Sequence, residues 1–157
     1  MNIGIVGSEA AKFTEETQRL AEAEIQDIIC NAAGLVLGET YRPKTEAITV
    51  VSGHCHLGGV DIFAEEVAAF VGANKAIFPP KNQRWEPDGY KARNIQIATY
   101  SDIVYVITVK ELPATYKGMR FKGCYHCEKR LQFSPTDHLR LHNATGWDMP
   151  HVKSGAC

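Results

Sequence analysis

The chain has 157 residues, 17 of them basic and 18 acidic for a formal net charge of −1, and 45% are hydrophobic. That suffices for a single domain with a sizeable core, and the near balance of charge argues against a general grip on polyanions. No apolar run has the length of a membrane helix and the N-terminus lacks the pattern of a secretory signal, so a cytoplasmic protein with no membrane partner is expected.

MNIGIVG reads as a short buried strand ending at Gly7 and Ser8. A long amphipathic helix follows from about Thr14 to Ala33, with Thr14 as its N-cap and Ala21, Ile25, Ile28 and Ala32 on one stripe. The 34–46 segment reads as a surface connection, its Leu35 to Leu37 cluster padding the helix end. The second strand is AITVV, Ala47 to Val51, and it runs into the glycine-rich stretch SGHCHLGGVD, Ser52 to Asp61. Beyond it Val60, Phe63, Ala64, Val67, Phe70 and Val71 recur at helical spacing, a face that packs on a sheet while Glu65 and Glu66 face water. KAIFPP is a third strand stopped by Pro79 and Pro80, YKARNIQIATYSD a third helix with Ile95 and Ala98 inward, and DIVYVITV a fourth strand.

Continuous apolar runs alternating with helices predict an α/β Rossmann-like fold over residues 1–109, a parallel sheet flanked by helices on both faces. A switch of winding direction between the first and fourth strands opens a crevice above their carboxyl ends. Gly7, Ser8, the Ser52–Asp61 turn and the segment after Phe78 all fall on that edge. A glycine-rich turn that opens a helix offers backbone N–H groups and the positive end of the helix dipole, which suit a phosphate. Gly53, Gly58 and Gly59 allow positive φ and close approach of a ligand.

The candidate nucleotide-binding residues are therefore Gly7, Ser8, Ser52, Gly53, Gly58, Gly59, Asp61, Arg93 and Asn94. Asp61 lies in a first helical turn, where it complements the dipole or reaches a ribose hydroxyl; Arg93 either forks onto a phosphate or lies on a solvated helix face. His54, Cys55 and His56 are candidate acid–base groups or ligands, against a plainer reading with one buried and two solvated. Trp85 and Tyr90 flank a Pro-containing loop, either as a lid with an aromatic platform or as core cover. No catalytic residue declares itself, and whether the chain is an enzyme stays open.

Beyond Val109 the character changes to turn formers, histidine and cysteine. The five cysteines of a cytoplasmic chain are expected as thiols or metal ligands. Cys124-x-x-Cys127 has the spacing for two ligands on one tetrahedral zinc ion, and residues 110–157 read as a zinc-knuckle tail packed on the same domain. The second pair is either His138 and His142, on one face of a short helix, or His151 and Cys157. Lys117, Arg120, Lys122, Lys129, Arg130 and Arg140 cluster in the same tail as a basic patch.

MNIGIVGS, VVSGHCHLGGVDIFAEEVAA, AIFPP, YKARNIQIATYSDIVYVI and CYHC…HVKSGAC, in that order, resemble the SLOG superfamily of Rossmann-like proteins, in particular small phage and prokaryotic members with a cysteine-containing tail. The resemblance implies binding of a nucleotide, a nucleotide-derived ligand or a nucleic-acid phosphate. Similarity to a tail ending HVKSGGC favours His151 and Cys157 as the second zinc pair, with Ala156 the departure. The superfamily includes the LOG enzymes, whose PGGxGTxxE signature is missing here, where TVKELPATYKG stands, so their phosphoribohydrolase activity does not carry over. DprA proteins have a shorter turn similar to Ser52-Gly53 and Gly59-Val60-Asp61, without the inserted HCHL. The expected function is binding of a nucleotide or nucleotide-derived small molecule, as a sensor or a processing enzyme. The alternative is a DprA-like nucleic-acid adaptor using the knuckle and the basic tail; a homo-oligomer is compatible with either.

Overall fold

The computed structural model describes residues 1–37, 44–84, 89–118 and 139–143, with side chains for all of these except 35–37 and 139–143. Five parallel strands form one sheet: β1 (Asn2–Gly7), β2 (Thr49–Ser52), β3 (Asn74–Ile77), β4 (Ile103–Thr108) and β5 (Leu139–Asn143), in the order β3-β2-β1-β4-β5. Three helices accompany them, α1 (Glu15–Leu37), α2 (Val60–Val71) and α3 (Tyr90–Tyr100). Successive strands step outward from β1 to β3 and then return to the other side of β1, so winding reverses between β1 and β4. There β1 and β4 run in register from Ile3 opposite Ile103 to Gly7 opposite Ile107. In open α/β sheets ligands bind at the carboxyl ends of the strands where such a reversal occurs.

The period of two in the strands sorts the core into two layers. Ile3 and Ile5 face α1 and α2, packing with Ile25, Ile29, Phe63 and Ala64, whereas Val6, Val51, Val104 and Val106 face α3 and its Ile97. Each of the fully buried aliphatic side chains contributes roughly 1.5–3 kcal/mol of burial free energy. Thr14 caps α1 reciprocally: the Thr17 N–H donates to Thr14 Oγ1 at 3.2 Å and the Thr14 N–H to Thr17 Oγ1 at 2.8 Å.

Several local expectations need correction. Helix α1 continues through Leu35–Leu37, which the sequence assigns to a connection. Phe70, expected on the inner face, is 81% exposed, while its neighbours Val67, Ala68 and Val71 in the same turn meet the core. In α3 Ile97 is buried against the sheet, whereas Ile95, expected inward with Ala98, is exposed; Ile95 and Ile97 lie two apart and point to different sides of the helix. The helix expected around LRLH is a strand, β5, and it pairs with β4. Leu139 and Leu141 alternate with Arg140 and His142, which is the strand period.

Candidate functional site

The end of β1 meets β4 and α2 at one residue. The Ser8 N–H donates to the Ile107 carbonyl at 3.1 Å, and the Ser8 carbonyl accepts the Val60 N–H, the first of α2, at 3.0 Å. Gly59, at φ +85°, permits this contact: a Cβ there would lie 2.2 Å from the Ser8 carbonyl oxygen and 2.6 Å from the Ala10 nitrogen. The two loops are tied again where the Ala10 N–H donates to the Leu57 carbonyl at 3.3 Å. Farther along the first loop the Tyr116 hydroxyl donates to Glu9 in a short bond, and the Lys12 ammonium lies 5.7 Å from the Tyr116 ring centre. Burial, then the Glu9 contact, push the Tyr116 phenol up to about 12.

Inside this junction Ser8 is 1% exposed, and its hydroxyl has no hydrogen-bond partner among the described residues. Buried hydroxyls without partners are uncommon and costly. One other buried side-chain atom shares that condition among the described residues, Asn94 Nδ2, in the first part of α3.

Arg93 and Asp61 occupy the inner side of the Ser52–Asp61 turn. Arg93 is 1% exposed and Asp61 4%, with Arg93 Nη1 3.3 Å from Asp61 Oδ2 and donating to the Gly53 carbonyl at 3.1 Å. Asn94 Oδ1 accepts from Arg93 Nε at 3.2 Å and Nη2 at 3.1 Å, and the Tyr90 ring covers the guanidinium at 5.0 Å. Arg93 is thus no solvated surface residue, and its fork rests on Asn94. Gly53 makes room for it: a Cβ would lie 2.6 Å from Arg93 Nη1. Of the three turn glycines, Gly58 and Gly59 adopt positive φ, whereas Gly53 serves by lacking a side chain. Burial pushes the Asp61 carboxyl up to about 6, opposed by Arg93 and by a hydrogen bond from the Cys55 backbone.

The outer side of the turn contains the residue that sequence reasoning missed. Glu65, expected in water, is buried; its Oε1 accepts the Ser52 hydroxyl at 2.6 Å and its Oε2 lies 2.9 Å from His54 Nδ1. The His54 N–H in turn donates to Ser52 Oγ at 3.2 Å, which closes a ring of contacts. Glu66 is exposed as expected. His56 Nδ1 shares a 2.8 Å hydrogen bond with the Tyr90 hydroxyl, their rings stacked with centroids 6.2 Å apart. Cys55, between the two exposed histidines, is buried, and burial pushes its thiol up.

The structure therefore brings Gly7, Ser8, Ser52, Gly53, Gly58, Gly59, Asp61, Arg93 and Asn94 to one edge of the sheet. No group of three or more His, Cys, Asp or Glu side chains suited to a metal occurs among the described residues. The tail candidates Cys124, Cys127, His138, His151 and Cys157 lie outside the described residues, as does Trp85; His142 stands in β5 opposite Ile107. Of the basic patch, Lys117 is exposed and Arg140 stands in β5, while Arg120, Lys122, Lys129 and Arg130 are outside the described residues. No helix among the described residues is long and apolar enough to cross a membrane.

No protein-family model and no curated protein sequence matches the chain. Among solved structures it is similar to DNA processing protein A (DprA) from Streptococcus pneumoniae, at 20% identity and a TM-score of 0.46. The match covers 83% of this chain and 47% of that one, so the chain spans about half that protein's length.

Proposed function

We propose that the chain binds a nucleotide or nucleotide-derived ligand, with a phosphate seated over Ser8 at the switch point between β1 and β4. The observation that carries this reading is the Ser8 hydroxyl, buried and without a partner where the ends of two strands meet the first turn of α2. A phosphate oxygen is the acceptor such a donor lacks, and the α2 dipole favours its charge. Arg93 supports the site from behind by holding the turn through Gly53 and Asp61. Asn94 Nδ2 is a second unpartnered donor on α3. In the tail, Cys124, Cys127, His151 and Cys157 hold a structural zinc ion in this reading, a ligand set that stands on the sequence.

Calorimetric titration of the full chain with AMP, ADP, ATP and NAD tests the proposal. Saturable binding of at least one of them, persisting at high salt, is expected. Binding of single-stranded DNA that falls steeply with salt, with no nucleotide bound, would favour the adaptor instead.

A further inference from the structure

We infer that His54 is the general base of a phosphoanhydride hydrolase, its Nε2 drawing a proton from a water that attacks a phosphorus held at the Ser8 edge. The inference rests on the nucleotide reading above. Its starting point is the built contact between His54 and Glu65, whose side chains are 55% and 10% exposed. An ionised carboxylate only accepts hydrogen bonds, so the 2.9 Å contact assigns the proton of the neutral imidazole to Nδ1 and leaves the lone pair on Nε2. Both Glu65 oxygens are engaged, one by the Ser52 hydroxyl and one by the ring, so the carboxylate cannot turn away from His54. The ring is thus oriented by a buried partner while it remains open to solvent. Glu65 is a positioning residue here, in the manner of the carboxylate of a catalytic triad.

The backbone adds an independent sign. His54 stands at φ +47°, the one non-glycine residue in the left-handed region among the described residues. Such a conformation needs its surroundings to hold it, and strain of this kind gathers at functional sites. His54 belongs to the same turn as Gly58 and Gly59, and Gly59 packs against the Ser8 carbonyl, which makes a phosphorus bound at that edge the reacting atom in this proposal.

The neighbours narrow the chemistry. Around His54 the charged groups are Glu65 and Asp61 on α2 and, behind Asp61, Arg93 on α3. Asp61 is engaged by Arg93, the Tyr90 hydroxyl by His56, and the Cys55 thiol is buried, with burial pushing its pKa up. A leaving group that departs without a proton fits this arrangement, and a phosphate of an anhydride does so. The water oxygen bonds to phosphorus as its proton passes to Nε2; the bond from phosphorus to the bridging oxygen breaks, and that oxygen leaves with the electron pair as a phosphate. The proton on Nε2 then returns to solvent.

The test uses the full chain with ATP, ADP and NAD, with and without magnesium, and products separated by chromatography. The wild type is expected to hydrolyse an anhydride that it binds. His54→Gln should keep the affinity within about twofold and lose on the order of a hundredfold in kcat. Glu65→Gln, which keeps an acceptor for Ser52, should lower kcat about tenfold and displace the acid limb of the pH–rate profile, a change that loss of a merely structural contact would not cause. Binding without turnover by the wild type, or wild-type kcat in His54→Gln, would overturn the base assignment and leave the nucleotide reading standing. Absence of binding and turnover with every probe would overturn both.

Discussion

The two sides of the Ser52–Asp61 turn use similar residue types to opposite ends. On the inner side a guanidinium and a carboxylate are both nearly fully buried and face each other, and the guanidinium also donates to Gly53 and Asn94. On the outer side a buried carboxylate holds an imidazole whose other edge is open to solvent. The inner pair is closed and acts as scaffold; the outer pair is half closed and available to a ligand. Charged residues near a glycine-rich turn do not by themselves reveal which of these two states they occupy. The deciding quantity is whether the protein supplies every partner the group can take.

The sharpest way to break that contrast is to remove the inner cation. Arg93→Ala leaves Asp61 buried without its counter-ion and should cost about 3–5 kcal/mol, read by urea unfolding. A variant of wild-type stability that lost only nucleotide affinity would instead make Arg93 a ligand contact. Next in size is the pH response of the same pair. Burial raises the Asp61 carboxyl from 3.8 to about 6, so the folded state takes up this proton more readily than the unfolded chain. Its contribution is present below about pH 4, is lost as pH rises through about 6, and is flat above, a change of about 3 kcal/mol. The difference in stability between wild type and Asp61→Asn, followed from pH 4 to 7, should show that slope; a constant difference would contradict the assignment.

The outer side should respond less. Glu65→Ala is expected to cost about 1 kcal/mol, because Ser52 keeps the Asp61 carbonyl as an acceptor and the His54 ring can turn to water. Glu66→Ala, one residue on and exposed, should change stability by less than about 0.5 kcal/mol, so the pair of variants measures the contrast within one helix turn. The smallest effect on the sheet is expected from the tail. Chelation should remove about one equivalent of zinc, bound by Cys124, Cys127, His151 and Cys157, while nucleotide affinity stays unchanged. Retention of the metal after truncation of Cys157 but not after His138→Ala with His142→Ala would move the site to the histidine pair.

What was legible in the sequence follows from range. The strands β1, β2, β3 and β4 and the three helices declare themselves through local periodicity, and the turn through its glycines. The convergence of Ser8, Gly59 and Asp61 follows from strand order, which alternation with helices already implies. Glu65 could not be told from Glu66 locally, since both adjoin the apolar stripe and the partners that bury Glu65, Ser52 and His54, lie 13 and 11 residues upstream. The burial of Arg93 depends on Asp61, 32 residues away, and on a glycine whose missing side chain makes the space. The pattern of β5 was present in LRLHN, but a spacing of four between His138 and His142 suggested a helix, where alternation of two was the governing period.

The central claim is that the carboxyl edge over Ser8 receives a phosphate, and Ser8→Ala tests it with two readouts on one protein. Removing a buried hydroxyl that lacks a partner should leave the free protein as stable as the wild type or slightly more so. Titration with ADP should meanwhile show affinity reduced by about tenfold or more, as expected for a lost hydrogen bond to a charged group. Unchanged ADP affinity in Ser8→Ala, in a protein whose wild type binds ADP, would contradict the account.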